Sequence, residues 1–127
     1  MAYHFAVEKR ATYLHITGVG ALSEGNVRRF LLEAYQASVE QKCDSLLLEI
    51  NFSGPPLNLH SIYSVIAERS PDGAKLRRIA YVDTNPTYAI DPAEFAELTA
   101  KNRGVNVRLF RNLADAECWL QERGNKQ

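Results

Sequence analysis

Ser53, Asn58, His60 and Ser61 fall within one short stretch, Ser-Gly-Pro-Pro-Leu-Asn-Leu-His-Ser, and are the residues whose types could do chemistry together. A serine hydroxyl activated by His60, with Asp83 or Glu49 orienting the imidazole, would be a hydrolytic triad. The spacing argues against it. No Gly-x-Ser-x-Gly elbow is present, and neighbours on a helix point in different directions, so His60 and Ser61 are poorly placed to pair. We therefore expect no catalytic residue and an exposed His60. No two of His4, His15 and His60 have metal-ligand spacing, so no metal site is expected. Neither a GxGxxG nor a GxxxxGK[ST] pattern occurs, and no cofactor is expected.

The elements that must position these residues can be read on either side of them. Leu46, Leu48, Ile50 and Phe52 alternate with Leu47, Glu49 and Asn51, a nearly continuous apolar run typical of a central strand covered on both faces. Gly54, Pro55 and Pro56 end that strand. Asn58 then caps a helix carrying Leu59, Ile62, Val65 and Ile66 at helical spacing, and Leu57 with Ile62 suits a hydrophobic staple. Such a turn points the free N–H groups of a helix start at the carboxyl end of a central strand, a common place for ligands and modified side chains. Glu49 stands out in the apolar strand, and is expected to face solvent or to pair with Arg78 on the adjacent strand.

Elsewhere, alternation predicts strands over His4–Glu8 and Ala11–Thr17, joined as a hairpin and closed by Gly18 and Gly20. Ser23 opens a helix ending near Lys42, with Val27, Phe30, Leu31, Ala34 and Ala37 on one face. Pro71-Asp72-Gly73 should stop the central helix, and Leu76–Val82 makes the next strand. A loop follows over Thr84–Ile90, then a helix capped by Asp91 and stopped at Gly104, a strand over Val105–Phe110, and a helix capped by Asn112. The expected order is β-β-α-β-α-β-α-β-α, an α/β fold with a four- to five-stranded, mostly parallel mixed sheet and about four helices. Residues 1–123 form one domain and 124–127 a frayed tail. Tyr63, Tyr81, Tyr88 and Phe95 could surround a cleft for a small apolar or lipid-like ligand between the second and third helices, or the same surface could serve a homodimer.

Fifteen basic and fifteen acidic residues cancel among 127, which removes the overall attraction that nucleic acid or anionic membrane binding exploits. No stretch reaches membrane-spanning length, and Cys43 and Cys118 have neither CxxC nor metal spacing. A cytoplasmic protein with reduced thiols and no membrane insertion is expected.

The element order, Leu46-Leu47-Leu48-Glu49-Ile50-Asn51, Leu59-His60-Ser61-Ile62 and the closing run from Val107 to Leu120 together resemble the STAS family, in its SpoIIAA-like branch of anti-sigma-factor antagonists. The resemblance covers nearly the whole chain. It implies a non-enzymatic regulatory domain that docks to a protein partner, a kinase or anti-sigma-like protein, and is switched by phosphorylation of the serine matching Ser61. Glu49, Asn51, Ser53, Asn58, His60, Tyr63 and Tyr88 would then form the partner or ligand surface. The sequence departs from the family in having Leu59 at the family's acidic position and a loop lengthened by Gly54-Pro55-Pro56. The plain alternative for Ser61 is a first-turn serine satisfying local backbone groups.

Overall fold

In the computed structural model, residues 3–83 and 90–122 are described. The strands are β1 (His4–Lys9), β2 (Leu14–Ala21), β3 (Ser45–Ser53), β4 (Arg78–Asp83) and β5 (Val107–Phe110). The helices are α1 (Glu24–Gln41), α2 (Leu59–Gly73), α3 (Ile90–Asn102) and α4 (Leu113–Gln121). The five strands lie in one sheet in the order of the sequence, with β1 antiparallel to β2 and every later pair parallel. The α/β class, the mixed sheet and the element order agree with the sequence reading. Tyr88, most of the expected 84–90 loop and the 124–127 tail lie outside the described residues.

Because the strand order never reverses, the successive crossovers from β2 to β5 all step the same way. With one hand of crossover they must lay α1, α2 and α3 on the same face. The packing follows. Phe30 and Ala34 of α1, Ile66 of α2 and Ala100 of α3 share a cluster with Ile16, Leu46, Leu48, Phe52 and Ile79 of the sheet. On the other face, among the described residues, only α4 packs, its Ala116 and Leu120 against Tyr13, Leu47, Ala80 and Val82. The central strand β3 feeds both clusters, as its unbroken apolar run requires. Over β1 and β2 that second face is open, with His4, Ala6, Glu8 and Val19 exposed.

Several boundaries differ from expectation: β2 starts at Leu14 and not Ala11, β4 is Arg78–Asp83 and not Leu76–Val82, β5 starts at Val107 and not Val105, and three more ends shift. Strand β2 does not end at Gly18 but continues to Ala21. A Cβ on Gly18 would lie 2.5 Å from the Phe30 ring and 3.3 Å from Phe52, so the glycine seats a helix ring against the strand and ends nothing. Helix α2 runs through Pro71 to Gly73. The proline falls in the last turn, where Ser70 Oγ donates back to the Ile66 carbonyl at 2.5 Å and Arg69 pairs with Asp72 at 3.2 Å. Helix α3 starts at Ile90, one residue before the expected cap. Gly104, at φ +89°, lets the chain turn in the left-handed region after α3, as expected of a helix-stopping glycine.

Candidate functional site

Two different places emerge from the candidate residues. The first is the start of α2. Asn58 caps it, its side-chain oxygen accepting the Ser61 N–H at 2.8 Å. The Ser61 hydroxyl lies near the carboxylate of Glu24 on α1, and its pull, followed by that of the Arg28 hydrogen bond, holds the Glu24 carboxyl below the usual carboxylate range. Arg28 meets Glu24 at 3.1 Å and Glu68 at 2.8 Å, so α1 is tied by a chain of charges to α2 beyond its first turn. His60 is exposed on the same turn, as expected. Ser53, at the end of β3, donates to the Gly20 carbonyl at 3.5 Å, while its own carbonyl accepts from Leu22 N–H at 2.7 Å.

Glu49 and Asn51 do not join this group. They project from the opposite face of the sheet, because α2 covers the face bearing Leu48, Ile50 and Phe52. Nor does Glu49 pair with Arg78. Its carboxylate meets His15 Nε2 on β2 at 2.7 Å, while Arg78 reaches the Trp119 carbonyl and stacks 5.4 Å from the Trp119 ring. Parallel register explains the change: His15 lies beside Leu47 and Thr17 beside Glu49, so His15 and Glu49 are diagonal neighbours on one face. Tyr63 is exposed, its hydroxyl accepting from Arg103 at 2.6 Å. The expected partner surface is thus split by the sheet.

The second place lies between the sheet and the three helices. A cavity of about 190 Å³ is bounded by Leu48, Ile50, Phe52 and Tyr81 of the sheet, Leu31 of α1, Val65 and Ile66 of α2 and Ala96 of α3. It is wider than the cleft expected between the second and third helices, since α1 contributes a wall. Its few polar groups include Tyr81 and Asp83, two residues apart on β4 and therefore on one face. The Tyr81 hydroxyl lies close to the Asp83 carboxylate. Burial first, and that carboxylate second, push the phenol well above the usual tyrosine range. The partly buried surface that Tyr81 keeps faces the cavity.

Neither His15 nor Glu24 was singled out as a site residue from sequence. Their only signal was a polar residue in an apolar pattern or at a helix start, and the partner that gives each a role comes from a distant element. Among the described residues no three His, Cys, Asp or Glu side chains gather as a metal site, and no helix is long and apolar enough to cross a membrane. Compared with protein-family models and with curated proteins, the sequence matches none.

Proposed function

We propose that the chain is a SpoIIAA/STAS-like domain that works without catalysis, as a carrier or sensor holding a small apolar molecule between its sheet and α1, α2 and α3. The cavity of about 190 Å³ carries this reading. Protein interiors are packed with few voids larger than a water. Apolar walls that face open space instead of packed neighbours forgo the dispersion contacts that a filled interior makes. A space of roughly 150 Å³ with apolar walls accepts benzene. A ligand here would recover contacts that the protein's own side chains do not make.

Toluene tests the idea, being apolar and of the right size. Titrated into the protein and followed by amide chemical shifts, it should saturate with a Kd on the order of 1 mM or tighter, moving Leu48, Ile50, Val65 and Ala96 but not Ala116 or Leu120. Ala96→Leu should weaken it by about tenfold. Unsaturable shifts scattered over both faces would sink the proposal.

A second reading, protein docking switched at Ser61, is favoured by one observation: Arg28 pairs with the Glu24 carboxylate that lies near the Ser61 hydroxyl. A phosphate on Ser61 would repel Glu24 and draw Arg28 from it, rearranging the link between α1 and the start of α2 and adding negative charge to that surface. Ser61→Asp should therefore change the amide shifts of both helix starts and partner binding in a pull-down. A variant with unaltered shifts would count against the switch.

A further inference from the structure

The two edges of the sheet are finished differently. At the β5 edge the Leu109 N–H is taken by Glu97 of α3 at 2.8 Å. At the β1 edge, among the described residues, there is no such cover. The register that sets Lys9 beside Leu14 continues to Arg10 and Tyr13, where the Arg10 N–H meets the Tyr13 carbonyl at 2.8 Å. Bonded and unbonded pairs alternate along an antiparallel ladder, so His4, Ala6 and Glu8 turn their backbone groups to β2, while Phe5, Val7 and Lys9 turn theirs outward. Among the described residues no hydrogen bond reaches those outward groups. The strand also lacks the usual guards of an edge: it has no proline, its register carries no bulge, and its middle is apolar, with Ala6 and Val7 exposed.

We propose that β1 pairs with β1 of a second copy of the chain, antiparallel about a two-fold axis at Ala6, so that two sheets join into one. Outward groups on alternate residues admit a two-fold axis at any residue of the strand, and the side chains choose among these. An axis at Glu8 or Lys9 would set that residue against its own copy, like charge to like. An axis at Val7 would leave Glu8 opposite alanine and Lys9 opposite Phe5, and an axis at Phe5 would overlap only the first part of the strand. With Ala6 at the axis, Phe5 lies opposite Val7 of the second copy and His4 opposite its Glu8, and symmetry repeats both matches. An imidazole donates to a carboxylate whether it is neutral or charged. His4, Ala6 and Glu8 are all exposed, on the face of β1 that α4 leaves open, and Glu8 meets Arg10 at 3.5 Å without being buried by it.

Sedimentation velocity on the native protein from about 1 μM to 1 mM should show a mass rising toward twice 14.3 kDa, with a Kd on the order of 100 μM or tighter. Val7→Pro removes an outward donor that β2 does not use, so the variant should keep its circular dichroism spectrum and lose at least about tenfold in dimer affinity. Cross-linking reads the axis separately. With Cys43 and Cys118 replaced by alanine, Ala6→Cys should oxidise to a disulfide-linked dimer, since directly opposed residues of an unbonded pair hold their Cα atoms about 4.5 Å apart, and Glu8→Cys should not. Should Val7→Pro fail to fold, the Ala6→Cys cross-link decides alone. A native protein still monomeric at about 1 mM overturns the proposal, as does a dimer that Val7→Pro leaves equally tight. Cross-linking through Glu8→Cys and not Ala6→Cys overturns the assigned axis.

Discussion

Gly18 shows how much one missing side chain does. Phe30 is fully buried, with Phe5 and Phe52 edge-on to it at 5.8 and 6.0 Å, and its ring lies where a Cβ on Gly18 would be. Gly18→Ala must displace that ring from a filled cluster, an overpacking expected to cost about 1–3 kcal/mol. Urea unfolding should show it as a lower midpoint with an unchanged slope, and a variant as stable as the parent would mean the ring has room to move. At this scale the sequence was only partly legible. Asn58, Ser23 and Asn112 announced themselves as caps, because capping depends on a few adjacent residues, and all three accept a backbone N–H within their own first turn. Gly18 was mistaken for a strand end, since the ring that requires it comes from a helix still to follow. Glu49 was visible as an anomaly but not its partner, which depends on strand register.

Elements are specified by longer patterns, and these survived better. The apolar run of β3 and the helical spacings of α1, α2 and α4 are properties of whole segments, so errors fell at ends, as at Pro71. One element also protects another. Strand β5 is an edge of the sheet, and its Leu109 N–H, unused by β4, is taken by Glu97 of α3 at 2.8 Å. An edge covered in this way is a poor template for pairing with another chain. Glu97→Ala should lower stability by about 1 kcal/mol, the cost of a partly buried donor left without its acceptor. It should also raise self-association, seen as a concentration-dependent sedimentation coefficient. A variant that stays as monodisperse as the parent would show that the strand edge is guarded by something else.

For the molecule as a whole, alternation of strands and helices was enough to foresee a mostly parallel sheet, but not where a ligand would sit. Open α/β sheets usually bind in the crevice where strand order reverses. Here the order runs from β1 to β5 without reversal, and the space for a ligand lies instead beneath the three helices on one face. Neither the volume under those helices nor the Tyr81–Asp83 pairing could be read from spacing, because both depend on how separate layers meet. The other face has a different implication, for synthesis on the ribosome. Leu47, Ala80 and Val82 are wholly buried there, and α4, which closes over them, is made after every strand. A nascent chain that has finished β5 but not Leu113–Gln121 holds an assembled apolar surface with no cover of its own. For that interval it is a natural client for a chaperone.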